Sequence, residues 1–304
     1  MSTNYREDSK EVKELLGMVE FSYPLLAPRV GAMKQHDVKD ADKITFTTVD
    51  LDKDSVTPSL MLPEMTEINH INAGTKSFSF SPYLLGLNYR VSDLQDGSES
   101  SSVISAAVRE LSVMFDTQTI LGTSLNQGMI STRGTKNPFY VNLPADETLR
   151  AANTVDAKIA ALKALFVKIE DEFASKNSAR SIDIYYWGDE MTALFNANNV
   201  ATDATVLAVA RQVFTIPVSF VKLPKLALQQ KYVNAAKANA LPAANGFVAV
   251  DPQSVRIDYV RLPAPMGQGH NEEHEYSWYK MRTGSVSVLP IREAGIVLQP
   301  VTLN

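Results

Sequence analysis

Two alternating stretches near the front of the chain constrain its fold more than any other feature. KITFTTVDLD, residues 43–52, and KSFSFSPYLLGLNYRVS, residues 76–92, both show the period of two that is typical of β-strands. The residues between them include two prolines and the turn-like sequence Asn72-Ala73-Gly74. The pattern predicts a long two-stranded hairpin over residues 43–85.

The loop of this hairpin carries more apolar side chains than two strands can bury. An isolated hairpin has too little mass around it to shield them from water. Either a second copy of the chain covers them, or the hairpin folds back on its own domain. The residues concerned are Leu60, Met61, Leu62, Met65, Ile68 and Ile71, and Lys76 follows on the returning strand.

A long helix is predicted over residues 98–121. Ser98 is a suitable N-cap, Gly122 is a suitable C-terminal stop, and the apolar residues recur at helical spacing on one side. The other sides carry Glu110, Asp116 and several Ser and Thr residues. Because only one stripe is apolar, we expect the helix to lie across a surface and not to run through a core.

Residues 150–275 alternate between helical and strand patterns. TVDAKIAALKALFVKIEDEFASKN, residues 154–177, is strongly amphipathic, and Thr154 can cap its N-terminus. A strand, two shorter helices and further strands follow, and this alternation predicts an α/β unit. The final segment, residues 276–304, has the pattern of β-strands.

Composition excludes several classes of function. The formal net charge of −5 argues against a chain whose main work is to grip phosphates, since that work needs clustered Lys and Arg. The chain has no cysteine, so disulfides, thiolate nucleophiles and sulfur-ligated zinc sites are excluded. Its N-terminus is charged where a signal peptide needs an apolar stretch, and no segment approaches the ~18 apolar residues of a membrane span.

One motif indicates catalysis. His270, Glu273 and His274 fit H-x-x-E-H, in which a helix of some zinc peptidases presents two imidazoles and a general base. Prolines and glycines precede this stretch and aromatic strand formers follow it, which leaves little room for a helix and favours a polar loop. Walker A, G-x-G-x-x-G and G-x-S-x-G sequences are absent. We therefore expect a protein that is not an enzyme and binds no cofactor or metal, and a metal-dependent hydrolase using His270 and His274 is the less favoured alternative.

The order of these elements resembles the major capsid proteins of tailed bacteriophages, whose Hong Kong 97-like fold is shared with encapsulin shells. The closest local likeness is VRELSVMFDTQTILGTSLNQGMIST, residues 108–132. It is similar to the family's spine helix, with Glu110 and Asp116 as the spaced acidic residues and Gly122 after the apolar pair. The resemblance implies an α+β fold: an N-terminal arm (1–42), an extended hairpin loop (43–85), a peripheral domain with the spine helix (86–149), an axial domain (150–275) and returning strands of the peripheral domain (276–304).

The resemblance also implies a function. A protein of this family self-assembles in the host cytoplasm into hexamers and pentamers of an icosahedral virion capsid around double-stranded DNA, which it contacts non-specifically. The implied partners are other copies of the chain, a separate scaffolding protein, a portal protein and, as a further candidate, a decoration protein, with no membrane. An encapsulin-like bacterial compartment with protein cargo is the nearest alternative.

Some members of the family weld their subunits through a bond between Lys and Asn side chains. Lys76 lies in the corresponding region, but no Asn partner or catalytic Glu can be matched in this sequence. Because Lys76 lies in the hairpin, it is predicted as an assembly contact together with the residues of the hairpin loop.

Overall fold

The computed structural model of the chain describes residues 24–37, 43–50, 72–92, 97–130, 139–176, 179–198, 204–271, 276–292 and 294–303. Its helices are α1 (Ala27–Val30), α2 (Gly97–Leu121), α3 (Thr148–Ala151), α4 (Val155–Lys176), α5 (Asp189–Asn196), α6 (Val206–Ala210) and α7 (Gln230–Ala235). Its strands are β1 (Ala32–Gln35), β2 (Lys43–Asp50), β3 (Asn72–Ser79), β4 (Leu84–Ser92), β5 (Tyr140–Asn142), β6 (Ile182–Trp187), β7 (Val218–Lys222), β8 (Asn245–Val250), β9 (Val255–Tyr259), β10 (Ala264–Asn271), β11 (Tyr276–Gly284), β12 (Val286–Pro290) and β13 (Ile296–Val301). None of the helices in these ranges is long and apolar enough to cross a membrane.

Strands β2 and β3 form the predicted two-stranded element, which we call the ribbon. They pair antiparallel from Lys43 opposite Ser79 to Asp50 opposite Asn72. The prediction of a turn at Asn72-Ala73-Gly74 is wrong, because these residues pair with the end of β2 and belong to β3. Within the described part of the chain, the ribbon pairs with no other strand.

The second alternating run divides between two sheets. Its first part lies in β3, whereas β4 forms a separate antiparallel sheet in the order β10-β11-β4. The residues from Phe80 to Tyr83 carry the chain from the ribbon into this sheet. Helix α2 packs against β11 and β4, so the base of the ribbon lies beside the long helix.

The α/β unit is built on a five-stranded sheet with the order β5-β13-β8-β6-β7. The predicted helix and its cap are confirmed, since the N–H of Ala157 donates to the Thr154 hydroxyl at 3.2 Å. Helices α4, α5 and α6 contribute to a core around Phe166, whose ring lies 5.8 Å from that of Phe247 on β8. Predicted strands at β6 and β7 are also present.

Sheet membership does not follow the predicted boundary at residue 275. The turn at Asp251 carries the chain out of the five-stranded sheet, and β9 joins a third sheet in the order β1-β9-β12. In the other direction, β5 and β13 join the five-stranded sheet, although both were expected in the peripheral part. The sequence pattern could not show this, because β13 pairs with β5 and β8, which are both far from it along the chain.

The expectation that the long helix lies on a surface is wrong for its C-terminal half. Every residue from Leu111 to Leu121 is buried, including five polar ones. Three of their hydroxyls donate to carbonyl oxygens four residues earlier, at 2.8 to 3.0 Å, so burial leaves no hydroxyl proton unpaired. These three residues are Ser112, Thr117 and Thr119. The three buried hydroxyls of this face are therefore satisfied by the helix itself.

Candidate assembly site

The turn that follows α2 is closed by two glycines. Gly122 ends the helix with a φ of +62°, which confirms it as the C-terminal stop. A Cβ atom on Gly122 would lie 2.3 Å from the nitrogen of Gly128, and one on Gly128 would lie 2.0 Å from the nitrogen of Gly122. Only glycine fits either position, so the close approach of the two backbones explains both glycines of the turn.

The same turn holds the base of the ribbon. The side-chain amide of Asn126 accepts a hydrogen bond from the N–H of Ser81 at 2.8 Å and donates one to its carbonyl at 3.0 Å. The hydroxyl of Ser285 also donates to the Ser81 carbonyl, at 3.1 Å. Phe80, the preceding residue, is 1% exposed. The ribbon is thus attached to the body through a hydrogen-bonded, partly buried join.

The two acidic residues predicted in the spine helix contact different parts of the chain. Asp116, 1% exposed, accepts a hydrogen bond of 2.9 Å from the backbone N–H of Leu26. Glu110 accepts one of 2.9 Å from the hydroxyl of Tyr232 and lies 3.1 Å from the ammonium group of Lys231. Burial, followed by the Glu110 carboxylate, raises the pKa of Tyr232. Helix α2 therefore joins the N-terminal segment to the connection between β7 and β8.

Sequence reasoning missed the role of that connection, residues 223–244. The hydroxyl oxygen of Thr117 also lies 2.8 Å from the carbonyl oxygen of Ala227, so its one proton is shared between two carbonyls. The amide of Asn239 donates to the carbonyls of Leu121 and Thr123 at 3.1 Å each. A signal was present in the sequence, since the buried residues of this segment recur at intervals of four and five. They are Leu223, Ala227, Tyr232 and Ala236.

The described part of the predicted N-terminal arm, residues 24–37, lies on the body of its own chain. β1 pairs parallel with β9, and His36 Nε2 lies 3.0 Å from a carboxylate oxygen of the fully buried Asp258. Arg29 Nε lies 3.3 Å from a carboxylate oxygen of Asp183 on β6. This segment therefore contacts two different sheets.

Most of the predicted hairpin contacts cannot be placed. Leu60, Met61, Leu62, Met65, Ile68 and Ile71 lie outside the described residues. Lys76 lies on β3 directly opposite Phe46 of β2.

The candidate zinc motif does not have the helix it needs. His270 lies in β10, where it is paired with Ser277 of β11, whereas Glu273 and His274 lie outside the described residues. A strand at His270 is incompatible with the helical arrangement of H-x-x-E-H. Over the described ranges, no group of three His, Cys, Asp or Glu side chains is arranged to hold a metal ion.

Several solved capsid structures share this architecture over nearly their whole length. The capsid of Myoviridae phage XM1 matches with a TM-score of 0.57 at 13% identity, covering 91% of this chain and 92% of that one. The mature capsid of bacteriophage PhiM1 matches with a TM-score of 0.54 at 11% identity, covering 93% of this chain and 88% of that one. The chain has the fold of tailed-phage major capsid proteins.

The capsid fold of this chain is also similar to a virus-like particle from Pyrococcus furiosus. That structure has a TM-score of 0.56 at 8% identity, covering 95% of this chain and 98% of that one. No protein-family model matches the sequence, and a comparison with curated proteins gave no match. The relationship is therefore visible in the fold and not in overall sequence identity, and the structural neighbours are shell proteins.

Proposed function

We propose that this chain is the major capsid protein of a tailed bacteriophage and forms the hexamers and pentamers of an icosahedral shell around double-stranded DNA. The observation that carries the proposal is the match to phage capsids over nine-tenths of both chains. A match of this extent leaves less than a tenth of either chain outside the shared fold.

We assign the elements of the chain to capsid domains according to the sheets in which they pair. Helix α2 acts as the spine, and the five-stranded sheet with α4 to α6 forms the axial domain around the centre of each capsomer. The two three-stranded sheets form the peripheral domain. This assignment keeps the predicted domain order, but it transfers β5 and β13 to the axial domain and β9 and β10 to the peripheral domain, where their pairing lies.

The ribbon and its loop are proposed to contact neighbouring subunits. A two-stranded ribbon is marginally stable alone, and this one pairs with no further described strand. Its loop contributes Leu60, Met61, Leu62, Met65, Ile68 and Ile71, and β3 contributes Lys76. In a closed shell each such contact is repeated by symmetry, so individually weak contacts add up.

The remaining partners follow from the same role. A shell of this kind needs a scaffolding protein to set its curvature and a portal through which DNA enters, and a decoration protein is a further candidate. The net charge of −5 suits a wall that contacts packaged DNA weakly, because tight binding to phosphates would oppose packaging and release.

A compartment of the encapsulin type is the second candidate. The match to the Pyrococcus furiosus virus-like particle, which covers 98% of that chain, favours it. Such a shell would enclose protein instead of a genome.

Electron microscopy of the chain produced together with its genomic neighbours tests the proposal. We expect sedimenting, hollow, icosahedral particles with a uniform diameter. Particles that contain nucleic acid, shown by their absorbance and by its protection from nuclease, support the viral shell. Particles that contain protein and no nucleic acid support the compartment. A chain that remains a small soluble species with all its neighbours present would contradict both.

A further inference from the structure

We propose that Asn126 is a positioning residue that fixes the direction in which the ribbon leaves the body of the subunit. The inference rests on the proposed function, because direction matters only if the ribbon must meet a neighbouring copy. Asn126 does not have to touch that neighbour. It acts through Ser81, the residue at the join.

The join is short, so its geometry decides where the ribbon points. The ribbon ends at Ser79, β4 begins at Leu84, and Ser81 lies between them. Eight residues per strand at ~3.3 Å each give the ribbon a length of about 26 Å, so a rotation of about 10° at the join moves its far end by about 4.5 Å. A displacement of that size is as large as the heavy-atom distance of a packed contact, about 4.0–4.5 Å, so groups that touch in one position would be separated in the other.

Asn126 is suited to prevent such a rotation. Its amide oxygen accepts from the Ser81 N–H and its amide nitrogen donates to the Ser81 carbonyl, so both backbone groups of one residue are fixed by one side chain. Asn and Gln are the residues that present a donor and an acceptor on one planar group. Asn126 is fully buried, which keeps water from competing for these bonds.

The support behind Asn126 is rigid. Its backbone N–H donates to the hydroxyl of Thr123 at 3.0 Å, and its carbonyl accepts from the N–H of Thr123 at 2.8 Å. The next residue, Gln127, accepts a hydrogen bond of 2.8 Å from the N–H of Val288 on β12. The turn is therefore fixed to α2 on one side and to a sheet on the other. Because Asn126 belongs to this fixed turn, its hydrogen bonds hold Ser81 in one position.

Asn239 provides a matched control. Its amide also makes two hydrogen bonds to backbone groups near the end of α2, but they go to Leu121 and Thr123 and not to the ribbon join. Asn239→Ala and Asn126→Ala therefore remove the same number of hydrogen bonds from the same turn. Only Asn126→Ala removes hydrogen bonds from Ser81, and it leaves in place the bond from the Ser285 hydroxyl to the Ser81 carbonyl.

The experiment compares the parent with these two variants by hydrogen exchange at the Ser81 amide and by electron microscopy of the assembled particles. We expect Asn126→Ala to accelerate exchange at Ser81 by about tenfold or more, which corresponds to the loss of one hydrogen bond. We also expect it to replace uniform closed shells with irregular or open ones. Asn239→Ala should leave exchange at Ser81 and shell shape as in the parent.

Asn126→Asp is a second variant in case Asn126→Ala does not accumulate. It keeps an acceptor for the Ser81 N–H, but it replaces the donor with a carboxylate oxygen that repels the Ser81 carbonyl. Exchange at the Ser81 amide should therefore lie between parent and Asn126→Ala, whereas the shells should be irregular as in Asn126→Ala. Parent-like shells from Asn126→Ala, or equal loss of shells from Asn239→Ala, would overturn the inference while leaving the proposed function intact. A parent that forms no shell would instead overturn the proposed function, and the inference with it.

Discussion

The backbone N–H of Leu26 donates a hydrogen bond of 2.9 Å to a carboxylate oxygen of Asp116, ninety residues away in the chain. Leu26 precedes the short helix α1, and Asp116 lies in the buried half of α2. A charged acceptor makes a stronger bond to a backbone N–H than a neutral one, and burial increases the effect. The bond fixes the N-terminal segment to the long helix.

Replacing Asp116 should therefore destabilise the subunit. Asp116→Ala leaves the Leu26 N–H without this acceptor, and we expect a loss of about 1–3 kcal/mol in the free energy of unfolding. Asp116→Asn keeps an acceptor oxygen and should recover part of that loss. Chemical denaturation measures both, with Asp171→Ala on the exposed side of α4 as a control expected within about 0.5 kcal/mol of the parent. Equal stability of Asp116→Ala and the control would contradict this role.

The glycine pair after α2 should not tolerate a side chain. Gly122→Ala and Gly128→Ala each place a Cβ atom against the backbone of the other glycine, and the positive φ of Gly122 adds strain. We expect each variant to lose about 2 kcal/mol or more of stability in a denaturation experiment. Ser124→Ala, an exposed position in the same turn, is the control and should behave as the parent. A stable Gly128→Ala protein would mean that the turn is looser than described.

The contacts of Glu110 differ in strength. Tyr232 is 5% exposed and donates a hydrogen bond to Glu110, whereas Lys231 is exposed beside the same carboxylate. Tyr232→Phe should cost about 1 kcal/mol, because a half-buried hydrogen bond is lost without a change of shape. Lys231→Ala should cost under about 0.5 kcal/mol, since exposed ion pairs are screened by water. Parallel denaturation curves decide the order, and a larger effect at Lys231 would refute it.

Stability should fall in strong alkali because of Tyr185. Burial and the nearby Asp183 carboxylate raise the pKa of Tyr185 above its usual value. The native protein thus keeps this proton where the unfolded chain, with tyrosines that titrate near about 10, releases it. The contribution is fully present below pH ~10 and is lost as the pH rises above it.

Tyr185→Phe removes the ionisable group and tests that dependence. Between pH ~10 and ~11 the variant should lose about 1 kcal/mol less stability than the parent loses, because up to about 1.4 kcal/mol accompanies each pH unit. The measurement is the free energy of unfolding at the two pH values. Identical losses in the two proteins would show that Tyr185 does not contribute.

Local features of the fold could be read from the sequence, whereas pairing over distance could not. The cap at Thr154, the stop at Gly122 and the strands of the ribbon follow from short-range chemistry, and all are present. The burial of the polar side of α2 was missed because polar residues in a helical pattern are normally expected to face solvent. Here their hydroxyls donate to carbonyls of the helix, which makes burial possible.

Sheet membership was missed for a different reason. The sequence of β13 predicts a strand but does not indicate its partners. Only its position between β5 and β8 assigns it to the five-stranded sheet. The same limit applies to the candidate site. Asn126 has no neighbours in sequence that reveal its contact with Ser81, because that contact spans forty-five residues.

In the proposed shell, the ribbon and its loop are covered by sister copies of the chain. A side-chain-resolution reconstruction of the assembled particle tests it directly. We expect residues 43–79, including Leu60, Met61, Leu62, Met65, Ile68 and Ile71, to contact a neighbouring subunit. Density that places this segment against the body of its own chain would contradict the claim.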